Sequence, residues 1–305
     1  MLGAKGFAYD VMSDEAGSES DQRGWQQYLR RAEAPVTVVL DSRVPDLSYV
    51  STLNHLCDVV CIDDEQYRDF DCRLVVNPNP WARPERYGAQ SGRTVLAGPA
   101  YALVDRAFLD GRRARSSVGD VPVVAITMGG EDPDNVTAHT LAAMASLTRP
   151  LHVKVIQGPA FLGQRRVRAL AEASPHQVTV VEGCTDLAPL IPDIDIAICS
   201  ASTTSYELAT AGVAMIVVAL ADHQIPVARY FRDTGSAVTV GRGDSFTSDW
   251  SALSPAVSRL VEDGDARQAM LARIRQLFDG RGAFHVSMTI LGHEHATAGL
   301  VASRD

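Results

Sequence analysis

The residues best suited to chemistry gather in one run, CSASTTSYELATAGVAMIVVALADHQIPVARYF, from Cys199 to Phe231. A turn of small hydroxylated residues, with Ser200, Ser202, Thr203 and Thr204, stands between a strand pattern (Ile194 to Cys199) and a helical pattern (Tyr206 to Ala211). A helix that opens behind such a turn leaves backbone N–H groups unpaired and turns the positive end of its dipole toward the loop, which favours phosphate. Small side chains let that phosphate approach. Glu207, about one turn into the helix, is a carboxylate able to accept from two neighbouring ribose hydroxyls. Beyond the next buried strand (Ala214 to Val218), His223 and Gln224 are placed to close the far side of the same ligand. A competing reading is structural. Thr204 and Glu207 fit the S/T-x-x-E capping box, in which the glutamate only serves its own helix start.

A second turn of the same kind weakens the structural reading. VPVVAITMGGEDPDN is a continuous apolar strand that ends in Gly129 and Gly130, followed by an acidic turn and a helix start at Asn135. Two strand-to-helix turns suited to phosphate or sugar in one α/β region point toward a shared ligand. An ordinary tight turn also uses glycine for its positive φ.

The elements that must position these residues alternate along the chain. Strand patterns at Gly6 to Val11, Val36 to Leu40, Val59 to Ile62, Leu74 to Val76 and Thr94 to Leu96 precede a polar segment, DGRRARSSVGDV (Asp110 to Val121). Further strands follow at Val121 to Met128, Leu151 to Ile156, Val178 to Glu182, Ile194 to Cys199, Ala214 to Val218 and Ala237 to Val240, with helical patterns between them. Such alternation implies parallel sheets with right-handed crossovers. At 305 residues and 46% hydrophobic composition, two domains are expected, divided at the polar segment.

Six blocks in order, IDDEQYRDFDCRLVVNPNP, LAGPAYALVDRAF, ITMGGEDPDNVT, CSASTTSYELATAG, HQIPVARYF and DGRGAFHVSM, resemble the PseG/SpsG group of nucleotide-sugar hydrolases, relatives of the MurG-type glycosyltransferases. The resemblance runs from about Val36 to about Ile290. It implies a GT-B architecture, two Rossmann-like lobes with parallel sheets facing across a cleft. Residues 1–112 would form the sugar and catalytic lobe, lacking its first βα unit, and residues 120–305 the lobe that binds the nucleotide diphosphate. It further implies that the loop Cys184-Thr185-Asp186-Leu187 holds the base through backbone groups, and that Ser202, Thr203, Thr204, Glu207, Gln224, Gly129 and Gly130 contact the nucleotide; His223 stands where relatives often carry Asn and suits either a sugar or phosphate contact or a hydrogen-bonded structural role.

Members of that group begin with a strand and a G-x-G-H loop whose histidine is the proposed catalytic residue. This chain opens MLGAKGFAYDVMSDEAG, without that loop. Asp10, Asp14, Asp41 and Asp132 are the candidate substitutes for activating water. Asp63-Asp64 is a carboxylate pair, suited either to acid/base work or to capping the next turn.

Net charge is −9, and no basic run is denser than Arg112-Arg113-Ala114-Arg115 or Arg165-Arg166-Val167-Arg168, which argues against nucleic acid as a partner. Those arginines read as solvated linker and helix faces. Five cysteines without C-x-x-C or finger spacing read as reduced thiols of a cytoplasmic protein. His293-x-His295 lies in a polar tail and is not a metal signature, so neither metal nor cofactor is expected. The longest apolar run, Gly212 to Ala221, is too short to span a bilayer. The expected partner is a sugar nucleotide or a related nucleotide-linked small molecule; the sequence carries no signal for an oligomeric state. The expected activity is hydrolysis by water attack at the anomeric carbon, with glycosyl transfer, or sugar-nucleotide binding without turnover, as alternatives.

Overall fold

The computed structural model describes residues 18–31, 36–41, 47–64, 68–88, 92–112, 119–132, 134–241 and 250–292. The chain divides into two compact units. Unit 1 comprises Met1–Pro78, Ala82–Gly98 and His285–Asp305, and unit 2 comprises Asn79–Trp81 and Pro99–Phe284.

Unit 1 carries a four-stranded parallel sheet in the order β1 (Thr37–Leu40), β2 (Asp58–Ile62), β3 (Leu74–Asn77), β4 (Thr94–Ala97), with helices α1 (Glu19–Arg31) and α2 (Leu47–Asn54). Tyr49, Val50 and Leu53 of α2 pack with Val59, Cys61 and Val75 in its core, so the short apolar strands are covered on a face as parallel strands must be. Asp63, just past β2, is buried. Its Oδ2 accepts from the Arg68 amide at 3.0 Å and from the Tyr87 hydroxyl at 2.8 Å, and that hydroxyl accepts from Asn77 Nδ2 at 2.7 Å. Of the two readings of Asp63, the geometry shows the cap.

Unit 2 is built on six parallel strands: β5 (Val123–Thr127), β6 (His152–Ile156), β7 (Gln177–Val181), β8 (Ile196–Ser200), β9 (Ala214–Ala219) and β10 (Val238–Gly241). Its helices are α3 (Arg106–Asp110), α4 (Val136–Met144), α5 (Gln164–Glu172), α6 (Thr203–Thr210), α7 (Ile225–Asp233), α8 (Leu253–Glu262) and α9 (Gly264–Leu277), while α10 (Gly282–Ile290) carries the chain over the division. The spatial order is β10-β9-β8-β5-β6-β7, so the chain winds outward from β5 in one direction, then returns to β8 and winds outward in the other. Every residue of β8 and β9 is buried, which is why both read as unbroken apolar runs rather than alternating ones.

The long stretch of unit 2 opens at Pro99, ahead of the polar segment that begins at Asp110. Ala102, Val104 and Phe108 belong to the core of unit 2, so the chain has already joined that core before the polar residues begin. Arg112, expected to be solvated, is half-buried. Its Nε donates to Thr210 O and its Nη2 to Phe278 O, both at 2.7 Å, so one side chain satisfies carbonyls at the carboxyl ends of α6 and α9. In the DGRGA block, a Cβ on Gly282 would lie 2.2 Å from Ala102 O; this glycine is needed for close backbone packing.

Candidate functional site

In a doubly wound sheet the strand order reverses at one place, and adjacent loops there diverge to opposite faces, leaving a crevice beyond the carboxyl ends of the strands. In unit 2 that place lies between β5 and β8. Gly129-Gly130 follows β5, and Ser200-Ala201-Ser202 closes β8. A Cβ on Gly129, whose φ is 87°, would be 3.7 Å from Ser200 Oγ, so the two turns are direct neighbours. Gly158, after β6, packs on the same turn: a Cβ there would come within 2.5 Å of Gly129 O and 2.6 Å of Gly130 Cα. The Ala160 amide then donates to Gly130 O at 3.2 Å.

The helix behind β8 begins without a side-chain cap. Ser202 is the N-cap, in extended conformation, and its side chain caps no amide of α6. Its Oγ instead meets Ser200 Oγ at 2.8 Å, while the Ser205 amide and hydroxyl both turn back to Ser202 O, at 2.9 and 2.6 Å. The amides of Thr203 and Thr204 thus open the helix without a side-chain cap, at the positive end of its dipole. The structure also decides against the capping box. With Ser202 as N-cap, Glu207 is the fifth residue of the helix and not the third. The Thr204-x-x-Glu207 spacing falls entirely inside the helix, and the carboxylate has no hydrogen-bond or ion-pair partner among the described residues.

Glu207 is a half-buried acid among acids. Burial, then Asp186, then Asp105 push its pKa above the ordinary glutamate value. Asp186 belongs to the Cys184–Leu187 loop, so that loop and Glu207 are electrostatic neighbours. The loop is held by its own groups: the Cys184 amide donates to Gln157 O at 2.8 Å, Cys184 Sγ to Asp186 O at 3.3 Å, and the Ala188 amide to Asp186 Oδ1 at 3.0 Å. Leu187 precedes the short turn of helix at Ala188–Asp193 and is partly buried. Asp105 was not singled out in the sequence. It caps α3 through the Ala107 amide at 2.9 Å, and D-x-A-F is a common cap pattern with no mark of proximity to Glu207.

Past β9, Gln224 Oε1 accepts from the Leu220 amide at 2.9 Å, which fixes the side chain and leaves its Nε2 as a donor; His223 beside it is exposed. Asp10 and Asp14 lie outside the described residues, and Asp41 is exposed at the carboxyl end of β1 in unit 1. Asp132 is buried, and its two oxygens accept from the Val136 and Thr137 amides at 2.8 and 2.7 Å, which is the work of a cap for α4. His293 and His295 also lie outside the described residues. Among the described residues no cluster of three or more His, Cys, Asp or Glu is arranged to hold a metal ion, and no helix is long and apolar enough to cross a membrane.

No protein-family model matches the sequence. The spore coat polysaccharide biosynthesis protein SpsG of Bacillus subtilis is 27% identical over 204 residues, which cover 66% of this chain and 59% of that protein, so the match spans well under two thirds of the relative. Among solved structures, MurG of Acinetobacter baumannii superposes with a TM-score of 0.68 at 19% identity, covering 90% of this chain and 78% of that one. The spinosyn rhamnosyltransferase SpnG, complexed with thymidine diphosphate, superposes with a TM-score of 0.53 at 16% identity, covering 89% and 82%. With its two parallel-sheet α/β units, the chain has the GT-B, glycosyltransferase-like fold.

Proposed function

We propose that this protein binds a sugar nucleotide through unit 2 and breaks its glycosyl–phosphate bond, releasing the nucleoside diphosphate. The observation that carries the reading is the uncapped start of α6 at the point where the strand order reverses, facing Gly129-Gly130. The Thr203 and Thr204 amides and the Ser202 hydroxyl receive the diphosphate, Glu207 accepts from the ribose hydroxyls, and the Cys184–Leu187 loop holds the base. Gln224 Nε2 and His223 close the site beyond β9. The likeness to SpsG, a polysaccharide biosynthesis protein, and to SpnG, which was solved with thymidine diphosphate, supports a nucleotide-linked ligand.

In the hydrolytic reading, a water oxygen forms a bond to the anomeric carbon as the bond from that carbon to the phosphate oxygen breaks. The charge of the leaving diphosphate is stabilised by the helix dipole and the open amides, so the leaving group needs little acid assistance. The proton of the attacking water goes to a carboxylate. Of the four sequence candidates, Asp41 is the exposed one in the described residues, and Asp132 is already engaged at both oxygens. The likeness to MurG and SpnG favours a second reading in which an acceptor hydroxyl replaces water. A phosphorus NMR time course with UDP-, CDP-, GDP-, dTDP- and CMP-linked sugars and no acceptor separates the two. Free nucleotide from one substrate, unaffected by EDTA, is expected for the hydrolase. Release that appears only with an added acceptor would assign transfer instead, and absence of binding by every nucleotide would remove the site assignment.

A further inference from the structure

Gln157 stands immediately after β6 and is 2% exposed, yet neither its Nε2 nor its Oε1 has a partner among the described residues. A buried amide left without partners costs about 1–3 kcal/mol for each group, so native proteins keep few of them, and each calls for a reason. Other buried polar atoms without a partner do not share its place. His176 Nδ1 precedes β7, at the amino end of the sheet, and Thr140 Oγ1 lies inside α4. Gln157 is at the carboxyl end of the strands, where ligands of such sheets bind. Its own carbonyl anchors the Cys184 amide, and the next residue, Gly158, packs on Gly129-Gly130. The side chain therefore belongs to a two-residue segment, Gln157-Gly158, whose backbone touches both the loop assigned to the base and the turn assigned to the diphosphate.

We infer that Gln157 is a specificity-determining residue that pairs with the base edge of the bound nucleotide. A primary amide offers one acceptor and a donor side by side in one plane. A pyrimidine or purine presents the complementary pair on its Watson–Crick edge, whereas a diphosphate presents acceptors only. This inference rests on the nucleotide reading of the site. It also accounts for a polar side chain kept unpaired in the free protein, because the ligand would supply both partners at once.

The test uses Gln157→Met, which keeps length and removes both polar atoms, alongside Gln157→Glu, which keeps the shape and removes the donor. Binding of UDP, CDP, GDP, dTDP and inorganic pyrophosphate is measured by calorimetry, with thermal melting as the control for folding. The expected result is that Gln157→Met melts at or above the wild-type temperature, binds the preferred nucleotide roughly tenfold to a hundredfold more weakly, loses preference among bases, and binds pyrophosphate as wild type does. Unchanged nucleotide affinity and base preference in a folded variant would overturn the inference, as would equal weakening toward pyrophosphate, which would make Gln157 a support for the loops. If wild-type protein binds pyrophosphate and nucleotides without discrimination, the inference fails while the phosphate site stands. Failure of wild type to bind any of them removes both.

Discussion

Replacing Glu207 with glutamine should have opposite effects on binding and on stability. The ionised carboxylate is the form that accepts from two ribose hydroxyls, and losing a charged acceptor of this kind costs about 1.5–3 kcal/mol, or roughly 10- to 150-fold in Kd. In the free protein the same charge is unfavourable, because burial, Asp186 and Asp105 all hold the pKa up. A raised folded pKa means that the contribution of Glu207 to stability is fully present below the ordinary glutamate range and is lost as pH rises through the folded value. Glu207→Gln carries no such loss, so its melting temperature should match wild type in acid and exceed it above neutrality. Nucleotide binding favours the ionised form, so wild-type affinity should rise with pH across that window, with a proton released on binding. The ligand's own terminal phosphate titrates near pH 6, so the informative quantity is the difference between wild type and variant, measured by calorimetry from pH 5 to 8. A variant that binds nucleotide as tightly as wild type at pH 8 would refute the ribose assignment. One that melts lower at every pH would show that the carboxylate has an internal partner and would refute the electrostatic argument.

Other substitutions separate framework from site. Arg112→Ala should lower unfolding free energy by about 2–4 kcal/mol in urea, since two helix-end carbonyls lose a charged donor, while nucleotide affinity in the folded fraction is retained; an unchanged denaturation midpoint would refute the bridging role. Gly130→Ala and Gly158→Ala should differ sharply. A Cβ at Gly130 meets no atom within 4 Å and should spare stability while weakening nucleotide binding, whereas one at Gly158 strikes the Gly129-Gly130 backbone and should destabilise the fold; equal melting temperatures would contradict this. Asp132→Ala should cost about 1–2 kcal/mol of stability as a lost helix cap and leave the pH profile of turnover unchanged. Loss of the low-pH limb in that profile, where a general base would be protonated, would return Asp132 to the role of base.

The parallel sheets were legible because buried parallel strands are written as unbroken apolar runs, as in VVAIT and AMIVVA, and because polar turns separate them. The two turns after β5 and β8, rich in glycine and small hydroxyl residues, were legible as strand-to-helix turns because such residues have few uses directly after a central strand. Helix starts were less so. Ser202, Thr203 and Thr204 are all acceptable caps by type, and only the backbone conformation shows that Ser202 takes the position, which moves Glu207 out of the capping register. Polar composition marks exposure, whereas membership of a unit is fixed by which core a segment enters, and Phe108 enters that of unit 2 before the polar residues begin. Asp105 and Gln157 left no signal at all. Their significance comes from neighbours about a hundred positions and about thirty positions away, and nothing local distinguishes an ordinary cap or an ordinary strand-end glutamine.

The anchoring of α6 bears on how fast a ligand is captured. An isolated helix of eight residues would fray, since short helices are marginal in water. Here the far end is riveted by Arg112, and Tyr206 in its middle stacks on Phe278 and hydrogen-bonds Asn79 Oδ1 at 3.0 Å. The open amides at the near end are therefore already aimed before any anion arrives, and no folding step precedes capture. Binding should follow a single concentration-dependent phase in stopped flow, set by encounter, with discrimination among ligands expressed in the dissociation rate.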